Sequence, residues 1–309
     1  MNFFNKLNIR KLVIYLLGIM FICYGAGALF IFSNNGREVW KEGSSYNINE
    51  SNVIEDLNGL KDIEIDVPST DIDVITEGTN QVKAELNGSL IASGKVERPE
   101  LQCYKDGNKI YIKVIQKSLM VFNFFYRSNI KLNVYIPDSY KENLSVHSSS
   151  GDVNISNHTF NKLKSELTSG NLQVNNINTD TFEQHSSSGD VKAERLTTKN
   201  TTIDVTSGTI RLNKFNGDLQ TRSSSGDTSI EYDNFNNKVD IQATSGNIKL
   251  KLPKSAEFAL DASASSGGVN CKFPISFSEK GEHVLKGTVG SGKNNINIVT
   301  SSGDINISQ

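Results

Sequence analysis

Ser148-Ser149-Ser150-Gly151-Asp152-Val153-Asn154-Ile155 returns as Leu167-Thr168-Ser169-Gly170-Asn171-Leu172-Gln173-Val174, and again as Ser186-Ser187-Ser188-Gly189-Asp190-Val191-Lys192-Ala193. Ser-Gly followed by a small or acidic residue recurs in this way at Gly151, Gly170, Gly189, Gly208, Gly226, Gly246, Gly267 and Gly303, with steps of 19, 19, 19, 18, 20, 21 and 36. The last step reads as about two periods. A period near 19 signals a repeat architecture, in which each unit is too small to bury its own apolar face and must stack on its neighbours.

Aligned on the glycine, the second residue after it is apolar in Val153, Leu172, Val191, Ile210, Ile248 and Val269. The fourth is apolar in Ile155, Val174, Ala193, Leu212, Ile230 and Leu250. Asn154, Gln173, Lys192, Arg211, Ser229 and Lys249 lie between them, so the segment alternates with the period of two that marks a strand. Seven residues before each glycine, Leu144, Leu163, Phe182, Leu219, Val239 and Leu260 form a second apolar column, interrupted by Thr201. Two or three short strands and their turns fill one such coil, and a helical repeat would need more residues. Glycine supplies a positive φ at the turn, where Ser, Asp and Asn bond the local backbone.

Neighbouring repeats also complement one another. After the glycine stand Asp152, Asn171, Asp190, Thr209, Asp227, Asn247 and Gly268, never two aspartates in succession. Four residues before it stand His147, Glu166, His185, Asp204 and Arg222, basic and acidic in turn. In a parallel stack, equivalent residues lie about 4.8 Å apart and like charges directly opposite are destabilising. Alternation separates like charges by about 9.6 Å and puts opposite charges side by side. A sandwich or propeller gives no reason for such complementarity. The expected fold is therefore an all-β parallel β-solenoid of about 19-residue coils over 59–309, irregular capping coils at 59–140 and Ser-Gly repeats at 141–309.

Upstream, Leu12 to Phe32 is an uncharged apolar run, long enough for one transmembrane helix. Lys6, Arg10 and Lys11 precede it, so residues 1–11 are expected in the cytoplasm and the repeats outside it. Ala26-Gly27-Ala28 offers a rival cleavage signal, but the apolar run continues past it. Residues 33–58 read as a juxtamembrane linker. Met120, Phe122, Phe124, Phe125 and Tyr126 belong to the most apolar stretch outside the span; it reads as a cap or core strand, or as a patch for the bilayer or a protein partner.

A net charge of −2 over 309 residues gives no reason to expect nucleic-acid binding. Cys103 and Cys271 lie outside the span, with Cys271 at an inward position that suits a buried thiol better than a disulfide. No nucleotide-binding loop, zinc-finger spacing or nucleophile elbow is present, so no catalytic residue, cofactor or metal is expected. The aspartates after the glycine are diluted by Asn and Thr. The His147-Glu166-His185 row reads more simply as a charge ladder than as a metal site.

Asn133-Val134-Tyr135-Ile136-Pro137, Leu144-Ser145-Val146 and Ser149-Ser150-Gly151-Asp152-Val153, followed by the Ser-Gly repeats, resemble the bacterial β-strand-repeat family labelled "putative adhesin", a domain of unknown function that includes LiaG-like membrane-anchored proteins. The resemblance spans residues 60–309. It implies a right-handed β-solenoid outside the membrane, often associated with envelope stress, and supplies no catalytic residues. The function it suggests is a non-enzymatic, membrane-anchored binding or adhesin-like module of the cell envelope, attached through the amino-terminal helix and meeting a cell wall polymer or another envelope protein. The alternatives are a carbohydrate-active β-helix enzyme and a purely structural spacer.

Overall fold

A computed structural model describes residues 9–32, 44–92, 97–116 and 126–309. The helix α1 (Ile9–Phe32) is followed by β1 (Ser44–Ile54), β2 (Asp62–Val67), β3 (Asp71–Glu77), β4 (Val82–Ala92), β5 (Glu100–Asp106), β6 (Lys109–Ile115) and β7 (Tyr126–Pro137). Then come β8 (Asn143–Ser150), β9 (Val153–Ser169), β10 (Leu172–Ser188), β11 (Val191–Ser207), β12 (Ile210–Ser225), β13 (Thr228–Tyr232), β14 (Val239–Ser245) and β15 (Ile248–Lys251). The remainder comprises β16 (Phe258–Ser266), β17 (Val269–Cys271), β18 (Ser276–Lys280), β19 (Val284–Val289), β20 (Asn294–Ser302) and β21 (Ile305–Ser308). One compact unit takes in Met1–Asn47, Ser89–Arg98 and Ser118–Asn129; the other takes in Ile48–Gly88, Pro99–Lys117 and Ile130–Gln309 and carries the repeats.

In the repeat unit β9, β10, β11 and β12 lie side by side in parallel, and Leu172 pairs with both Val153 and Val191. Each of these long strands is a nearly whole coil bent at one residue. Asn157, Asn176, Arg195 and Lys214, six positions after the glycine, have φ of 58, 56, 55 and 51°. This left-handed residue shifts the alternation by one, so the next inward column is His158, Ile177, Leu196 and Phe215, all buried. Asparagine tolerates that conformation through its short polar side chain.

The eight glycines occupy the other corner, and all but Gly151 have φ between 120 and 148°. A Cβ on Gly189 would lie 2.0 Å from the carbonyl oxygen of Gly170. The glycine is thus required twice, by torsion and by the close approach of the coil below.

The stack is not in chain order at either end. β2 lies between β6 and β8, pairing in parallel with both, and β3 likewise lies between β7 and β9. At the far end β20 lies between β14 and β16, and β21 between β15 and β17. Gly303 accordingly seats against Gly246, and Gly267 against Gly303. The 36-residue step expected as two stacked periods is instead an outward excursion and return: the coil of Gly267, then the antiparallel β18 and β19, then a last coil inserted beneath it. The antiparallel β5 borders β6 at the opposite end.

Other expectations also change. Among the described residues no helix is long and apolar enough to cross a membrane, so the span at Leu12–Phe32 is not carried by the structure. Ser44–Ile54, within the expected linker, is a strand. Met120, Phe122, Phe124 and Phe125 lie outside the described residues, and Tyr126 opens β7. Cys271 is a free thiol but only half-buried, because its strand β17 has a neighbour on one side only, β21. Cys103 is also free, and burial pushes its thiol up to about 11.

Candidate binding groove along the stack

Outward-facing side chains in register across parallel strands form rows, and one row lies in a groove of about 1120 Å³. His147 pairs in register with Glu166, Glu166 with His185, His185 with Asp204 and Asp204 with Arg222. These five residues therefore stand in register on consecutive strands. His147 Nδ1 lies 2.9 Å from Glu166 Oε2, His185 Nδ1 3.2 Å from Asp204 Oδ2, and Arg222 NH1 3.4 Å from Asp204 Oδ1. Lys164 adds a 2.5 Å contact to Glu166 and is the main cause of the lowered carboxyl pKa there, with His147 contributing.

The interleaved end extends this row beyond what the glycine spacing reveals. Asp66 on β2 stands in register with His147 on one side and Lys113 on β6 on the other. Seven consecutive coils thus run Lys113, Asp66, His147, Glu166, His185, Asp204, Arg222, basic and acidic in turn. A sequence signal for the added coil exists: Thr70-Asp71-Ile72-Asp73-Val74 follows the pattern of Gly151-Asp152-Val153-Asn154-Ile155 with threonine in place of glycine. Two residues beyond the charges, Ser149, Thr168, Ser187, Thr206, Ser224 and Thr244 line the same groove. Sequence reading passed over these hydroxyls because each sits beside the invariant Ser-Gly and looks like turn chemistry.

The Asp/Asn column has a different task. Asp71 Oδ1 accepts the backbone N–H of Asp152, Asp152 that of Asn171, Asn171 that of Asp190, and Asp190 that of Thr209, at 2.8 to 3.0 Å. At the far end Asn247 bonds the N–H of Asp304 and Asp304 that of Gly268. Each oxygen caps the corner of the adjacent coil, so aspartate and asparagine serve equally. The residues are hydrogen-bond acceptors between coils.

Among the described residues no group of three His, Cys, Asp or Glu is placed to hold a metal ion. The two ladder histidines contact different carboxylates, Glu166 and Asp204, and so do not converge on one centre. The remaining unusual histidine, His158, is 4% exposed inside the stack. Its Nε2–H donates to the Tyr140 carbonyl at 2.7 Å and Nδ1 meets the Thr76 hydroxyl at 2.9 Å. Burial holds its pKa below the ordinary imidazole value.

Solved structures that resemble the chain at low identity include three bacterial proteins. A "putative cell adhesion protein" from Clostridium sporogenes is 16% identical, with a TM-score of 0.32, over 85% of this chain and 100% of that one. A "putative adhesin" from Bacteroides fragilis is 14% identical, with a TM-score of 0.49, over 84% of this chain and 97% of that one. A "putative adhesin" from Parabacteroides distasonis is 12% identical, with a TM-score of 0.42, over 86% and 97% respectively. No curated protein matches. The family model described as Toastrack DUF4097 matches residues 60–308, from the coil of β2 to the last strand, and the chain belongs to that family, a β-repeat domain of unknown function.

Proposed function

We propose that the protein is a non-enzymatic, adhesin-like binding module of the bacterial cell envelope, whose groove receives an extended wall polymer. The observation that carries this reading is the groove itself: it runs past eight neighbouring coils, from Asp66 to Val299, a length of about 34 Å at the strand spacing. A trough of that length with hydroxyl and charged walls suits a linear ligand better than a compact one. The non-enzymatic reading is supported by the Asp/Asn column, whose oxygens hold backbone N–H groups, and by the pairing of the ladder carboxylates with cations.

Tethering at the membrane through α1, with the repeats outside the cytoplasm, belongs to the same proposal. Its support is the uncharged apolar run Leu12–Phe32 behind Lys6, Arg10 and Lys11. Described side chains such as Leu16, Ile19, Phe21 and Ile22 are exposed around the helix, as an apolar solvent would require. The link to envelope stress rests on the family resemblance alone. The test of the binding reading is retention of isolated wall polymer by the full-length protein in membranes. Thr206→Trp, which fills the groove, should abolish retention, whereas Asn178→Trp on another exposed face should leave it intact; equal retention by both variants would overturn it.

A further inference from the structure

We propose that the groove selects an acidic glycan carrying one carboxylate on every second sugar, an inference that rests on the groove being the binding surface. The row has a two-coil repeat. Its basic residues within the groove, His147, His185 and Arg222, recur on alternate coils, a spacing of about 9.6 Å, with Lys113 continuing the row beyond the groove. An extended disaccharide has nearly this length.

Each two-coil cell offers the groups such a disaccharide needs. The side chains of His147 and His185 are 32% and 43% exposed, and each uses Nδ1 on the neighbouring carboxylate. No described residue bonds Nε2 of either ring, so that nitrogen is open to a ligand: with Nδ1–H on the neighbouring carboxylate, it donates to an incoming carboxylate when the ring is imidazolium and accepts from a hydroxyl when the ring is neutral. Arg222 contacts Asp204 through NH1 alone and keeps further donors of its planar fork for the ligand. Between the cations, Glu166 and Asp204 have oxygens 41% and 33% exposed as side chains, suited to accept from hydroxyls of the intervening neutral sugar. From His147 to Arg222 the hydroxyls along the same wall alternate as well, serine beside each basic residue and threonine beside each acid, and none of Ser149, Thr168, Ser187 or Thr206 has a side-chain bond to a described residue.

A sugar polymer fits better than a peptide. Backbone groups in this face are already committed to the parallel ladders, so no strand edge is open for an added β-strand within the groove. Among its described lining residues, Val299 at one end is the one large apolar side chain exposed, leaving no row of pockets for peptide side chains. A polymer charged on every sugar would set alternate carboxylates against Glu166 and Asp204, and a neutral polymer would leave the open Nε2 positions and the spare Arg222 donors without an anion.

Binding is measured by calorimetry on the full-length protein in detergent with three oligosaccharide series: hyaluronate, acidic on every second sugar; oligogalacturonate, acidic on every sugar; and cello-oligosaccharide, uncharged. Hyaluronate should bind tightest, with affinity rising by whole disaccharides until the groove is filled. The exchange Glu166→His with His185→Glu keeps composition and net charge but places like charges on adjacent coils. With thermal melting confirming the fold, it should weaken hyaluronate roughly tenfold, the scale of one lost charge-assisted contact. Equal binding of oligogalacturonate or cello-oligosaccharide at matched length, or an exchanged variant that binds hyaluronate unchanged, would overturn the spacing rule. If those ligands are nevertheless displaced by Thr206→Trp, the groove reading survives that failure. Wall polymer retention unaffected by Thr206→Trp sinks both.

Discussion

At Gly189 two requirements coincide that no other residue meets. Its φ is 120°, and an added Cβ would lie 2.0 Å from Gly170 O and 2.7 Å from Gly170 C, both backbone atoms of the coil below. A left-handed penalty of about 1–2 kcal/mol adds to overpacking of about 1–3 kcal/mol. Gly189→Ala should therefore cost about 3 kcal/mol in a urea titration, while Lys192→Ala, at an exposed position, should move the midpoint little. His158 predicts a pH dependence with a definite sign. Buried, it binds protons less readily folded than unfolded, so its contribution to stability is present above the unfolded pKa near 6.5 and lost as pH falls through that region. The unfolding midpoint should drop between pH 7.5 and pH 5, and His158→Leu should flatten that part of the profile even if it lowers the whole curve.

Within a coil, the left-handed residue after the first strand explains what sequence reading could and could not see. The second and fourth positions after glycine were legible because they alternate before the corner. Beyond Asn157 and its equivalents the parity shifts, so the buried column His158, Ile177, Leu196 and Phe215 falls out of step with the earlier alternation. Polar residue types conceal other inward positions. Ser165, Gln184 and Thr221 are each at most 1% exposed, and Thr201 is 3% exposed within the column of Phe182 and Leu219. The Thr201 hydroxyl has no partner among the described residues. An unmet buried hydroxyl costs about 1–3 kcal/mol. Valine keeps its shape without the polar atom, so Thr201→Val should stabilise the protein by about 1 kcal/mol, raising the melting temperature; a fall would mean that the hydroxyl is satisfied.

For the repeat unit as a whole, the departure from chain order at both ends is the feature that spacing alone could not encode. A terminal coil in a solenoid has one neighbour and frays. Here the first and last coils in sequence, β2 with β3 and β20 with β21, each have two, and the outermost places go to segments joined to antiparallel strands. These are long-range pairings, invisible to periodicity except as the anomalous 36-residue step. They also set the length of the charge row, since Asp66 and Lys113 join it only through the inserted coil. Cysteine pairs in a background with Cys23, Cys103 and Cys271 replaced by serine test this arrangement most directly. Adjacent strands bring Cα atoms within disulfide reach, and residues two coils apart exceed it. Asp66→Cys with His147→Cys, and Asp66→Cys with Lys113→Cys, should each oxidise to a disulfide, while Lys113→Cys with His147→Cys should stay reduced. Ready bridging of that last pair, with none between positions 66 and 147, would contradict the interleaved stack and the seven-coil row built on it.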